Sequence, residues 1–205
     1  MSAGATAARG YRLVLPPGWR RIPLRTGTDA AVQDILDRSF EGLPADRFGP
    51  IRREVARRLD SVIRSARQTH GLDLYLPVDR VHGVTLPASF LVGETTFATG
   101  GESAEVLSVL LTGRTSSPVL VDGAAAVRID RPAAETPRAA DELAATRRVE
   151  YLVPVPGRVA RWVTVGFSTT APQDGQDGDL ATILVDLFDA VMTTWRWTGA
   201  EEPAG

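Results

Sequence analysis

The hydrophobic period of this chain changes twice, and those two changes restrict its fold more than any other feature. Ile51, Val55, Leu59, Val62, Ile63 and Ala66 recur at helical spacing. Placed at about 100° per residue they fall in an arc of about 120°. From residue 72 the period becomes two, with Leu72, Leu74 and Leu76 alternating with Asp73, Tyr75 and Pro77, the pattern of a strand with two distinct faces. Strand-like runs continue at Ala88–Ala98, Glu105–Leu111, Pro118–Val121, Ala124–Asp130, Arg147–Val155 and Arg161–Thr169. Near residue 180 the helical period returns: Leu180, Ile183, Leu184, Leu187, Phe188, Val191, Met192 and Trp195 make a broad apolar face, wide enough to lie flat on a sheet. Strands that follow one another without alternating helices argue against Rossmann and TIM-barrel arrangements. They predict an α+β fold: a single central, mainly antiparallel sheet packed by a C-terminal helix and two helices from the N-terminal half.

Local signals set the boundaries. Tyr11–Leu15 and Arg20–Leu24 read as extended segments on either side of the turn Pro16-Pro17-Gly18-Trp19, and Pro23 marks an edge strand. Thr28 and Asp29 offer caps for a helix through Phe40 with Ala31, Val32, Ile35 and Leu36 on one face. Pro50 suits the first turn of the long helix, which runs through Arg67 and stops before Gly71. Asp122-Gly123 is a hairpin signal, Pro132–Ala145 reads as a surface loop, and Asp179 can cap the last helix, expected over residues 180–197. Within Arg161–Thr169, Trp162 and Thr164 share one face while Val163, Val165 and Phe167 share the other. No linker divides the chain, so one domain is expected over 11–197, with disordered tails at 1–10 and 198–205.

Composition removes chemistries. Among 205 residues there is no Cys, no Lys and no Asn, so all 23 cations are Arg. The chain therefore lacks a thiolate nucleophile, a Cys-ligated zinc, a P-loop lysine and a Schiff-base lysine. Lys and Asn are also the residues that a GC-rich bacterial genome removes, which lowers the functional meaning of Arg in place of Lys. Residues 45–70 carry seven Arg against three acids, and residues 171–205 carry seven acids against one Arg; such lobes attract each other or steer separate partners. The N-terminal stretch has no basic segment ahead of an apolar run and no apolar run reaches membrane-span length. The expected location is the cytoplasm, with no membrane span.

At both ends the chain resembles a known family. The opening run Leu13-Val14-Leu15-Pro16-Pro17-Gly18-Trp19 is similar to the start of PsbP-like and DcrB-like domains, a superfold shared with the Ran-release factor. The end is similar too: Val149-Glu150-Tyr151-Leu152-Val153, then Trp162-Val163-Thr164-Val165-Gly166-Phe167-Ser168-Thr169, then a helix closing Phe188-Asp189-Ala190-Val191-Met192-Thr193-Thr194-Trp195-Arg196-Trp197. The resemblance covers the two ends only and gives no place to the basic helix at 50–67. It implies a central antiparallel sheet packed by helices. It also implies a binding module, assembly factor or adaptor, a group that includes chaperones dedicated to secretion-system effectors. A fold does not fix function.

Catalytic constellations are sparse. His70 and His82 lie twelve apart without a metal-ligand spacing. Gly166-Phe167-Ser168-Thr169-Thr170 lacks the second glycine of a nucleophile elbow. The run from Gly93 to Gly101 has no Lys, and a hairpin turn at Thr99-Gly100-Gly101 explains it. Asp186 and Asp189 share the polar side of the last helix, which reads as a solvated face. No catalytic residue, cofactor or metal ligand is assigned. The partner-binding candidates are Arg53, Arg57, Arg64 and Arg67, which fall together opposite the apolar stripe of the long helix, and Trp19 and Trp197. Arg forks suit carboxylates and phosphates, but the helix lacks the interleaved aromatics of single-strand readers, which makes nucleic acid a minor reading. The leading expectation is a non-enzymatic protein-binding module, an adaptor or chaperone for an acidic partner. The alternative is a small-molecule-binding or hydrolytic enzyme with scattered site residues.

Overall fold

The computed structural model describes residues 8–80, 83, 85–97, 107–109, 112, 115–132, 147–158, 160–170 and 178–199. Among them lie strands β1 (Gly10–Arg12), β2 (Trp19–Pro23), β3 (Gly71–Pro77), β4 (Ala88–Thr96), β5 (Ser116–Val121), β6 (Ala124–Pro132), β7 (Arg147–Pro154), β8 (Arg161–Thr169) and β9 (Arg196–Thr198). They are accompanied by helices α1 (Thr28–Ser39), α2 (Ala45–Gln68) and α3 (Gly178–Thr193). Seven strands form one sheet in the order β2-β3-β4-β8-β7-β6-β5, and every neighbouring pair is antiparallel. The chain runs up one half as β2-β3-β4, crosses to the far edge, and returns as β5-β6-β7-β8 to close on β4. The fold is α+β with a mainly antiparallel sheet.

Alternation along the strands separates two cores. On one face Tyr75, Phe90, Val92, Val149, Tyr151, Val153, Val163, Val165 and Phe167 pack under Leu184, Val185, Phe188 and Val191 of α3. On the other face Ile22, Leu24 and Leu74 pack under Ile35 of α1 and Ile63 and Ala66 of α2. The same face continues at Val127, Ile129, Leu152 and Trp162, covered by Phe97 and Leu107. Trp162 thus lies opposite Val163 and Val165, as the alternation predicts, and both sides are buried. Strands covered on both faces bury consecutive residues, which explains why Asp73, Leu74 and Tyr75 are all inside.

Hydrogen-bond phase protects the two sheet edges. Leu24 N–H donates to the Leu72 carbonyl at 2.8 Å, and Asp130 N–H donates to the Thr115 carbonyl at 2.9 Å. Given the pairing registers, both Pro23 on β2 and Pro118 on β5 then fall at positions whose backbone turns away from the neighbouring strand. A proline there forfeits no ladder bond and leaves no N–H for another chain to pair with. The β5–β6 hairpin turns through Asp122 and Gly123, both at positive φ (50° and 76°), the geometry that an Asp-Gly pair favours.

Several expectations are corrected. Residues 10–12 do not enter the main sheet: they pair with 196–198 as a separate two-stranded ribbon. The ribbon runs from Gly10 at one end to Thr198 at the other. The last helix stops at Thr193, and Trp195 and Trp197 lie beyond it, because β9 must turn back to meet β1. Helix α2 begins at Ala45, so Pro50 sits within it rather than at its first position. Its apolar stripe is only partly used: Ile63 and Ala66 are buried, but Ile51 and Val62 are about half exposed. Leu187 is half-buried and Ile183 exposed, while Leu184, Phe188 and Val191 are buried as expected. Residues 107–109 are helical, not extended as the reading of Glu105–Leu111 required. His82, the turn at residues 99–101, the loop at residues 133–145 and the outer tails lie outside the described residues. Among the described residues no helix is long and apolar enough to cross a membrane.

Candidate functional site

One end of the sheet gathers arginines from six separate places in the sequence. There β2 leaves at Leu24 and Arg25, β3 enters at Gly71, β4 leaves at Glu94–Thr96, the β7–β8 turn carries Arg158, and Arg161 opens β8. Two clefts of about 590 and 510 Å³ open at this end and share Arg25, Glu94 and Arg161. The larger is lined by Arg9, Tyr11, Arg21, Asp73, Arg158 and Trp197 among others. The smaller is lined by Arg67, His70, Gly71, Thr95 and Thr96. Together they form a basin bordered by six guanidinium groups and two carboxylates.

Backbone contacts set the basin wall. Glu94 N–H donates to the His70 carbonyl, Phe97 N–H to the Ala160 carbonyl, and Arg9 N–H to the Thr198 carbonyl, at 3.0–3.1 Å. The end of α2 closes tightly on β2 at Gly71, where a Cβ would stand 2.7 Å from both the Ala66 carbonyl oxygen and Leu24 Cδ1. Any side chain there would push Arg67 and His70 away from the strand ends.

The floor is a buried polar network. Asp73 is 3% exposed. It accepts a very short hydrogen bond from the Tyr11 hydroxyl and a 2.6 Å bond from Arg21 Nε. Tyr11 and Tyr75 hydroxyls lie 3.0 Å apart. Burial, then the negative charges nearby, pushes the Tyr11 phenol well above its ordinary range, and burial pushes Tyr75 up to about 12. Both therefore stay protonated donors. Burial disfavours the Arg21 charge, but the hydrogen bond and charge of Asp73 outweigh it and raise its pKa. Asp73 fixes Arg21 through Nε, and the guanidinium remains more than half exposed at the cleft.

The other cations divide into held and free groups. Arg25 pairs with Glu94 at 2.8 Å. Arg67 donates to the Leu24 carbonyl at 2.8 Å and to Thr28 Oγ1 at 2.7 Å. Arg9, Arg158 and Arg161 have no side-chain partner among the described residues. Unpaired guanidinium groups facing one cleft make a strong positive potential, and low-dielectric walls focus it.

The residues singled out from sequence fare unevenly. Arg67 and Trp197 both reach the basin; Trp197 is half-buried and stands edge-on to Trp195, with centroids 5.2 Å apart. Arg67 is exposed like Arg53, Arg57 and Arg64, but its guanidinium turns back along the helix end to the Leu24 carbonyl and Thr28. Arg57 and Arg64 stay on the outer face of α2, but Glu54 and Asp60 offset their charge at 2.9 Å. Arg53 is exposed on the same helix. Trp19 is a correction: it is 6% exposed, packed against Phe90 inside the sheet–helix core, since the turn before it aims the indole inward. Asp189 is another. It accepts from Arg128 at 3.0 Å and from the Tyr151 hydroxyl at 2.8 Å, which ties α3 to the sheet. Among the described residues no group of three metal-ligating side chains comes together.

Sequence reading missed Arg9, Arg21, Arg25, Arg158 and Arg161. They are far apart along the chain and belong to no motif. The one local signal was Arg158 and Arg161 straddling the end of the Pro156-Gly157 turn, where no buried position requires either.

Comparison with known proteins adds little. No family model and no curated protein matches the chain. A crystal structure from Bacteroides thetaiotaomicron VPI-5482, solved at 1.50 Å resolution, is similar over 63% of this chain at 12% identity, with a TM-score of 0.36. The chain spans 40% of that protein's length.

Proposed function

We propose that this chain is a protein-binding module, an adaptor or chaperone, that takes an acidic segment of its partner into the arginine basin. The observation that carries this reading is the convergence of six guanidinium groups on the two adjoining clefts of one basin, three of them without a side-chain partner among the described residues. Gathering like charges costs free energy unless a counter-charge arrives. An acidic segment supplies it, and carboxylates accept the two parallel N–H groups of Arg in a bidentate fork. The basin displaces the outer face of α2 as the preferred surface, because Arg57 and Arg64 already have acidic neighbours on their own helix.

The test is fluorescence anisotropy with a labelled hexaglutamate peptide, with hexalysine as control. Hexaglutamate should bind and weaken with added salt. Reversing Arg158 and Arg161 to Glu should weaken it about tenfold or more, whereas reversing Arg57 and Arg64 should change it little. Equal binding by both double variants would reject the basin.

A second reading is favoured by size. A cleft of about 590 Å³ falls in the range of small-molecule pockets, so a small anionic metabolite is the competing ligand. Citrate that displaces hexaglutamate at micromolar concentration would favour it.

A further inference from the structure

Glu94 holds an unusual position in the basin. The two clefts meet at Arg25, Glu94 and Arg161, so Glu94 stands at the waist between them. Among the described residues the other carboxylate lining these clefts is Asp73, which is buried and already engaged by Tyr11 and Arg21. Glu94 is more open, with its side chain 29% exposed, and it reaches a 67% exposed Arg25. The contact is single-point, from Arg25 Nη2 to Glu94 Oε2 at 2.8 Å. An exposed, monodentate pair of this kind is weak. A carboxylate arriving with both oxygens in line makes the stronger fork.

We infer that Glu94 is a built-in stand-in for a partner carboxylate: it occupies Arg25 in the free protein, and an acidic residue of the partner replaces it there. This rests on the function proposed above and assigns a selectivity role within that site. The exchange swaps one carboxylate for another on Arg25, so it favours ligands that also engage the unpaired Arg9, Arg158 and Arg161. A lone monocarboxylate gains nothing over Glu94 and meets its repulsion. A segment with several acids gains contacts in both clefts, which outweigh the lost internal pair. Glu94 thereby tunes the basin toward multiply acidic chains.

The test measures hexaglutamate and acetate binding to the intact chain and to Glu94→Gln, with Glu41→Gln as a variant of equal net charge outside the basin. Glu94→Gln should tighten hexaglutamate about three- to fivefold, the amount that corresponds to an exposed ion pair. Adding Arg25→Ala to it should remove that gain. Glu41→Gln should leave affinity within about 1.5-fold, since an exposed charge remote from the site contributes little. Acetate should bind measurably to Glu94→Gln alone. If Glu94→Gln fails to fold, Glu94→Thr, suited to the end of a strand, carries the same expectation. Equal tightening by the Glu94 and Glu41 variants, or none by Glu94→Gln, would overturn the inference while leaving the basin reading in place. Failure of the unmodified chain to bind hexaglutamate would remove both.

Discussion

The Tyr11 ring lies flat on Trp195, with centroids 4.3 Å apart and planes 7° from parallel. This stack joins residues from opposite ends of the chain and pins the β1–β9 ribbon over the basin floor. Beneath it the Tyr11 hydroxyl reaches Asp73. Ring and hydroxyl therefore have separable roles. Tyr11→Phe keeps the stack but leaves a buried carboxylate short of one donor, which should cost about 1–3 kcal/mol. Tyr11→Ala should cost more, because the stack and its buried area are lost as well. Urea melts of the two variants check this; equal losses would mean that the ring contributes nothing.

Alkaline titration offers a second test. All three tyrosines are held above their ordinary range. For Tyr11 the cause is burial followed by the charges of Tyr75 and Asp73; for Tyr75 it is burial; for Tyr151 it is burial followed by the Asp189 hydrogen bond. A folded-state pKa above the unfolded value stabilises below the unfolded pKa of about 10 and loses that stabilisation as pH rises further. Stability should hold to about pH 10 and then fall. Tyrosinate absorbance should appear together with loss of the fold, not before it. Early, non-cooperative ionisation of even one tyrosine would contradict the network.

The arginines of α2 should separate by role. Arg67→Ala removes donors from the Leu24 carbonyl and from Thr28, and should destabilise by about 1–2 kcal/mol. Arg57→Ala and Arg64→Ala remove exposed pairs along the helix, each within about 0.5 kcal/mol. Melting curves in denaturant rank the three. A loss at Arg57 equal to that at Arg67 would place the helix's anchoring elsewhere.

Phe188 sits 2% exposed at the centre of the α3 face, with ring contacts to Phe90, Tyr151 and Phe167. Phe188→Ala should cost about 3–5 kcal/mol, the transfer term plus the cavity it leaves. Ile183→Ala, on an exposed position of the same helix, should cost well under 1 kcal/mol. Chemical denaturation of both variants tests whether the helix docks by this face.

How much was legible depended on how far each cause extends along the chain. Periodicity is local, so the switch from helical to strand spacing located the main sheet and both helical regions. The alternation of Trp162 against Val163 and Val165 correctly separated the two faces of β8. Pro23 correctly marked an edge, and Asp122-Gly123 correctly marked a turn, because each acts through its own backbone. The β1–β9 ribbon was not legible: three-residue strands carry too little pattern, and their pairing joins positions 10–12 to 196–198. An apolar stripe records that a helix has a partner but not how far the partner extends, so the exposure of Ile51 and Val62 could not be read from it.

Sequence by itself determined the α+β class, the antiparallel sheet and the helix that closes one of its faces. These follow from residue spacing and side-chain volume, which the chain carries at every position. Tertiary structure alone decided the basin. A charge acts through space and not along sequence. The six arginines contributed by separate segments became neighbours only when β2, β3, β4 and β8 met at one end of the sheet. The same folding step brought Arg67 to the Leu24 carbonyl, set Glu94 against Arg25, and left Arg9, Arg158 and Arg161 facing the larger cleft together.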